Sequence, residues 1–238
     1  MAQLDGDERS AYVQAMFDRI AERYDLINRL ITGGQDLKWR RLVVEKATLP
    51  PRGSLLDIAA GTGDIAFEAL RAAPEARVVG ADFALGMMRV GKRRAPYGQR
   101  VAWAGADALR LPFADCSFDA VASGYLMRNV VDISLALGEQ RRVLKPAGRI
   151  VILDTSPPPK NLLKPLIMLH LKYGIPLIGR LVGGRAAGDA YRYLPDSTQA
   201  FKTPLELARL IEAAGFRDVG FKRLMFGTMA VHWGSKPG

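Results

Sequence analysis

Two periodicities divide the chain. From Tyr12 to Leu30, Val13, Phe17, Ile20, Tyr24 and Ile27 recur at three- and four-residue steps with charges between them, the spacing of one apolar helix face. A second helix is predicted over Leu37–Ala47, stopping ahead of Pro50-Pro51. Short apolar runs then take over, and Ser54–Ile58, Arg77–Asp82, Arg100–Ala104, Phe118–Ser123 and Arg149–Thr155 read as strands. Helical spacing returns between them over Asp64–Ala73, Leu85–Arg94 and Ile133–Leu144. Strands alternating with helices imply right-handed crossovers and a mostly parallel sheet, a doubly wound α/β fold. A helix over Pro204–Ala214 follows. Two last β-like runs, Val219–Leu224 and Thr228–Gly234, are close enough to pair as an antiparallel C-terminal hairpin, giving a seven-stranded sheet.

Between Ser156 and Phe201 the alternation stops. Pro157-Pro158-Pro159 breaks the chain, and Asn161–Val182 is strongly apolar, punctuated by Lys164, Lys172 and Arg180 with no acid before Asp189. This predicts an inserted helical lid on a single domain. The expected organisation is an N-terminal helical cap (1–50), a cofactor-binding core (51–155), the lid (156–201), and a C-terminal helix with hairpin (202–238).

Composition narrows the classes. The 238 residues carry 34 Lys and Arg against 24 Asp and Glu, a formal charge of +10, and 49% are apolar, which excludes wholesale disorder. Cys116 is the single cysteine, so no internal disulfide is expected, and with only His170 and His232 no metal site is expected either. The opening MAQLDGDER has no apolar h-region, and no stretch reaches the roughly 20 uninterrupted apolar residues that span a bilayer, so a cytoplasmic protein is expected. The positive balance suits nucleic acid or an anionic membrane, and position along the chain has to choose between them.

In an open parallel sheet, ligands bind beyond the carboxyl ends of the strands. The first such end carries the turn Ala59-Ala60-Gly61-Thr62-Gly63, where glycine lets a ligand approach the backbone. Asp82 follows Gly63 by 19 residues, at the end of the second strand, where a carboxylate can accept both hydroxyls of a ribose. A nicotinamide dinucleotide fits poorly, because Ala66 stands where the third glycine of its fingerprint belongs and Asp57 would face the pyrophosphate. A cationic nucleoside fits better. S-adenosyl-L-methionine offers an ammonium, a sulfonium and a ribose, and Asp107 beside the small Ala108, at the end of the third strand, can hydrogen-bond an adenine amino group. Phe83 and Met87, just after Asp82, complete the cofactor-binding candidates, and Tyr24 can close over the cofactor from the first helix.

Longer stretches resemble the ubiquinone/menaquinone biosynthesis C-methyltransferases. They are MFDRIAERYDLINRLITGGQDLKWRR (16–41), DALRLPFADCSFDAV (107–121), LMRNVVD (126–132), RVLKPAGRIVILDTSPP (142–158), YRYLPDSTQAF (191–201) and ELARLIEAAGF (206–216). The turn LDIAAGTGD with Asp82 is similar to class I methyltransferases, which have a Rossmann-like fold. The resemblance implies S-adenosylmethionine-dependent methylation of a ring carbon on a prenylated quinol, most simply demethylmenaquinol, with a methoxy-polyprenyl-benzoquinol as the alternative. It carries Thr62, Asp82, Asp107 and Ala108 over as adenosylmethionine contacts. Where the family often has Phe-Gly-Leu and Glu-Phe-Ser, this chain has Tyr125-Leu126-Met127 and Asp154-Thr155-Ser156.

The chemistry sets demands of its own. A ring carbon is nucleophilic only when the quinone is reduced and the adjacent hydroxyl is at least partly deprotonated. Arg128 and Asn129, just past the fourth strand, are the catalytic candidates. Arginine stays protonated, so Arg128 is expected to steady the phenolate or hold a water rather than act as the base. Cys116, His170 and His232 are expected to be structural. The lysine-punctuated apolar lid suits an anionic membrane surface, at the inner face of the cell membrane, better than nucleic acid. A homodimer contact or a core helix pair is the alternative use of the same segment. Two other functions compete, a nucleic-acid methyltransferase and a non-catalytic cofactor-binding subunit. The intact Gly61-Thr62-Gly63, Asp82 and Asp107 argue against the second.

Overall fold

The computed structural model describes residues 6–96, 98, 100–159, 162 and 164–238, and the side chains of all of these except 6–12, 185–190 and 192–196. Asn161, where the apolar stretch of the expected lid begins, lies outside them. The apolar runs form β1 (Ser54–Ile58), β2 (Arg77–Asp82), β3 (Val101–Gly105), β4 (Phe118–Gly124), β5 (Leu144–Thr155), β6 (Arg217–Leu224) and β7 (Met229–Ser235). They make one seven-stranded sheet in the order β3-β2-β1-β4-β5-β7-β6. The first five strands are parallel, and β7 runs antiparallel to both β5 and β6, which bears out the doubly wound sheet and its C-terminal hairpin. Leu144, expected as the last residue of a helix, instead begins β5.

Strand side chains alternate between faces, and the two faces build two cores. Leu55, Val151 and Leu153 pack with Trp39 and Val43 of α3 (Gln35–Ala47) and Ala66 and Ala69 of α4 (Asp64–Ala72). Their neighbours Leu56, Ile150 and Ile152 pack with Leu137 of α6 (Ile133–Val143) and Leu207 and Ile211 of α9 (Pro204–Ala213). On the far side of β1, α5 (Leu85–Arg94) links β2 to β3. Strand order reverses between β1 and β4, where Ile58 lies beside Ser123, and this reversal opens the crevice in which such sheets bind ligands.

The first helix differs from expectation. The periodic stretch is not one helix but two, α1 (Gly6–Ile20) and α2 (Tyr24–Thr32), separated by a turn in which the Arg23 N–H bonds the Ile20 carbonyl. The break turns Tyr24 edge-on to Phe17, ring centres 5.9 Å apart, and lets Asp25 reach the glycine turn. The lid forms α7 (Lys164–Leu169), one π-helical turn (His170–Gly174) and α8 (Ile175–Ala200), which bends at Gly184. Lys164–Gly184 is long and apolar enough by composition to cross a membrane, which a search for uninterrupted apolar runs misses because Lys172 and Arg180 fall inside it. Here it packs on the cap instead. Met16, Ile20 and Ile27 meet Leu171, Ile175 and Tyr191 in a third core.

Charge fastens the cap to the core. Arg40 is buried between Asp36, itself 1% exposed, and Asp64 at the start of α4, and Arg29 of α2 joins the same pair of acids. Without Asp36, Asp64 alone is left to hold two guanidiniums in a largely dry site. Asp36→Asn should therefore cost about 3 kcal/mol, read as a lower urea midpoint at unchanged slope.

Candidate active site

The glycine turn takes its shape from β2. After β1 the chain turns at Ala59 (φ 55°), and the Ala60 N–H bonds the Ala81 carbonyl at 3.1 Å. Gly61 (φ 56°) and Gly63 (φ 87°) both adopt the left-handed conformation open to glycine. At Gly63 a Cβ would also lie 2.6 Å from the Trp103 ring. Asp82 holds the turn. Its Oδ2 accepts the Gly61 N–H at 2.7 Å and its Oδ1 accepts the Ala84 N–H at 2.8 Å. Burial pushes the Asp82 carboxyl up to about 6, against the lowering pull of these N–H donors.

Five cofactor-binding candidates, Gly61, Asp82, Phe83, Met87 and Tyr24, line one small cleft together with Tyr125, Leu126 and Asn129. The others lie elsewhere. Asp57 is buried beneath the turn, where its Oδ2 accepts the Ala66 N–H at 3.1 Å in the first turn of α4 and its Oδ1 has no partner. Burial pushes its carboxyl up to about 8 although the Ala66 bond works the other way. The Thr62 hydroxyl donates to Asp25 Oδ1 at 2.8 Å, and Asp25 pairs with Arg94 of α5, so Thr62 ties the cap to the turn. Gly63 packs against Trp103 and Phe67. Asp107 is exposed and accepts the Leu109 N–H at 2.9 Å, with Ala108 in that same turn.

Beside the cleft lies a cavity of about 420 Å³. Apolar side chains of the cap and lid, among them Met16, Ile20, Ile167 and Ile175, make most of its wall. Phe17, Tyr24, Tyr125 and Asn129 line both spaces and form the divide between them. Arg128 reaches the larger cavity from the end of β4. Its Nη1 donates to Asp154 Oδ1 at 2.7 Å, its backbone N–H bonds Asp154 Oδ2 at 3.2 Å, and its guanidinium lies 4.9 Å from the centre of the Tyr125 ring. Burial works against the Arg128 charge, but Asp154 outweighs it and the guanidinium pKa is raised. Asn129 Nδ2 donates to the Tyr125 carbonyl at 2.8 Å, and Asn129 Oδ1 is buried with no partner. Burial likewise raises the Tyr24 phenol, against the opposing pull of Arg128, so it stays neutral. His170 lines this cavity rather than a packed core, whereas His232 is a packing residue, its Nε2 2.9 Å from the Pro204 carbonyl.

Sequence reasoning missed Asp154 and Tyr125. Asp154 looked like the tail of the apolar run Ile150–Leu153, yet a carboxylate at a strand's carboxyl end beside a candidate arginine was the available signal.

The residues suit an adenosyl cation. Asp82 accepts the Gly61 and Ala84 N–H groups, with the Phe83 N–H also acting on it, and a carboxylate has about four lone-pair sites, which leaves room for a ribose hydroxyl. The sheet order, the glycine turn and the acid after β2 define a class I, S-adenosylmethionine-dependent methyltransferase. The sequence profile of the ubiE/COQ5 methyltransferase family matches residues 5–236, and the chain belongs to that family. It is 50% identical over 224 residues to a ubiquinone/menaquinone biosynthesis C-methyltransferase of Desulfotalea psychrophila, covering 94% of this chain and 90% of that one. It is 45% identical over 223 residues to a demethylmenaquinone methyltransferase of Thermus thermophilus, covering 93% and 100%. Among solved structures, Haemonchus contortus phosphoethanolamine N-methyltransferase 2 superposes with a TM-score of 0.70 at 16% identity, over 95% of this chain and 60% of that one. A possible histamine N-methyltransferase of Thermotoga maritima gives 0.64 at 19%, over 94% and 99%. These likenesses bear out the expected family, fold, methyltransferase activity and methyl donor.

Asp57 generates a test. Folded, it keeps its proton to about pH 8, whereas an unfolded aspartate loses its own near pH 3.9, so the native state binds the extra proton between these values. Its contribution to stability is then complete at low pH and drains away as pH rises through the window. Asp57→Asn mimics the protonated acid, and its advantage over wild type should grow from roughly 1.5 kcal/mol at pH 5 to roughly 5 kcal/mol at pH 8, measured by urea unfolding.

Proposed function

We propose that the protein methylates a ring carbon of a prenylated quinol, converting demethylmenaquinol to menaquinol. The observation that carries this reading is an unpartnered amide oxygen on the divide between the glycine-turn cleft and a large apolar cavity, with a buried arginine beside it in the cavity wall. The relatives named above as quinone-biosynthesis methyltransferases support it. Bound S-adenosylmethionine supplies an electrophilic methyl on a sulfonium. The chain's residues bind and polarise around it. Gly61, Asp82, Phe83 and Met87 hold the donor, with Tyr24 above it. With the cap seated the cleft encloses about 50 Å³, so Phe17 and Tyr24 swing aside to admit the donor. Asp57, Thr62 and Gly63 act behind this wall by setting the turn, and Asp107 and Ala108 meet the adenine at the open rim.

Ring methylation forms a carbon–carbon bond, breaks the sulfur–methyl bond and releases the ring proton. Arg128 steadies the phenolate form of the neighbouring hydroxyl, and Asn129 Oδ1 accepts from that hydroxyl or from the water that takes its proton. Arg128 itself keeps its protons. The protein should be incubated with labelled S-adenosylmethionine and, in parallel, reduced demethylmenaquinone, reduced methoxy-polyprenyl-benzoquinone and RNA. Label should enter the naphthoquinol lipid. Arg128→Lys should lower kcat about 100-fold while leaving donor affinity by calorimetry unchanged. Label in the benzoquinol would move the substrate to the ubiquinone branch, and label in RNA would overturn the reading.

We also infer that the enzyme works against an anionic membrane from the cytoplasmic side. Leu166, Leu169, Tyr173, Leu177 and Leu181 are exposed at three- and four-residue steps, flanked by exposed Lys164, Lys172 and Arg180. Leu166 and Phe226, 65% and 70% exposed, also line the large cavity, so its mouth opens on this apolar face. A prenyl tail leaving the cavity there enters lipid directly. Wild type should co-sediment with vesicles of anionic phospholipid and much less with neutral ones, and Leu177→Glu with Leu181→Glu should cut binding about tenfold or more. Self-association abolished by the same changes would assign the face to a homodimer.

A further inference from the structure

The large cavity carries more polar groups than methyl transfer uses. Four of its lining residues hold a buried polar atom with no hydrogen-bond partner, namely Asn28 Nδ2, Asn129 Oδ1, Thr155 Oγ1 and Thr198 Oγ1. Unpaired polar atoms in an apolar wall lower stability unless a ligand pairs them. Asn129 serves the hydroxyl beside the methylated carbon, but a quinol ring has a second oxygen across from the first.

Asn28 of α2 brings one of these unpaired groups, a donor, to the cavity wall. It follows Tyr24 by four residues on α2, hence on the same helix face one turn along, about 5.4 Å further. Tyr24 lines the divide with the cofactor cleft, whereas Asn28 lines the large cavity alone. One helical turn is comparable with the span between the two oxygens of a para-quinol. The Asn28 amide is also held. Its Oδ1 accepts the Tyr191 hydroxyl at 3.1 Å, from a helix 163 positions away in sequence, and the Tyr24 phenol faces the same amide. Burial raises the Tyr191 phenol well above its ordinary range, so it remains a donor. With its oxygen engaged and two N–H groups on its nitrogen, Asn28 keeps an N–H to give even where the Tyr24 phenol oxygen takes the other.

We propose that Asn28 donates a hydrogen bond to the far ring oxygen of the quinol, with Tyr191 as the positioning residue that fixes the amide. The inference rests on the quinol reading above and names the contact that orients the ring within it. A donor on the cap held by a hydroxyl on the lid means that the ring is gripped only when cap and lid are packed together.

The test pairs the quinol with an analogue of the same prenyl chain in which hydrogen replaces the far hydroxyl. Wild type should favour the diol about tenfold in kcat/KM, the worth of one neutral hydrogen bond. Asn28→Leu should lose about tenfold on the diol, through KM rather than kcat, and lose nothing on the mono-hydroxy analogue, whose turnover also reports that the variant folds. Asn28→Asp, which replaces the donor by an acceptor at the same size, should lose the preference equally. Tyr191→Phe should lose part of it, and donor affinity by calorimetry should stay constant throughout. An equal loss on both substrates, or none on either, overturns the inference and leaves the quinol reading standing. Wild type that methylates neither ring overturns both.

Discussion

A guanidinium has to stay charged inside a cavity walled by aliphatic side chains, and Asp154 is what allows it. Alone, an arginine there would face the full cost of leaving water. The carboxylate at the end of β5 accepts from both the Arg128 side chain and the Arg128 backbone N–H, so it fixes the side chain and the loop that carries it. With both of its oxygens engaged, Asp154 is a holder rather than a base. The rest of the wall can then be aliphatic, because the charge that faces the cavity is already paired.

The donor side follows a different rule. There the working groups are mostly main chain, and side chains act on the backbone. Asp82 braces Gly61, Asp57 braces the first turn of α4, and Thr62 pins the cap through Asp25. Two carboxyls are raised by burial at this point, to about 6 and about 8. A cation arriving there favours the ionised form of each acid.

What could be read in advance was whatever local pattern or strand position fixes. Alternation located the strands, and the rule that ligands gather at strand ends led to Gly61, Asp82 and Arg128-Asn129. Pattern failed where tertiary contacts decide. The stretch from Tyr12 to Leu30 keeps helical spacing through Ala21–Arg23, and nothing local reveals that a turn there frees Asp25 for Thr62. Asp57 and Asp107 look equivalent in sequence, each an acid at or just beyond a strand end, yet one is sealed beneath the turn and the other is exposed. The pairing of Asn28 with Tyr191 joins two helices that only the closed fold brings together.

The cap and lid own a core apart from the two that flank the sheet. Met16, Ile20, Ile27, Leu171, Ile175 and Tyr191 belong to it and to neither of the others. Substitutions in that layer therefore reshape the large cavity while the two cores that flank the sheet stay packed, and they reach the cofactor cleft only through Phe17 and Tyr24.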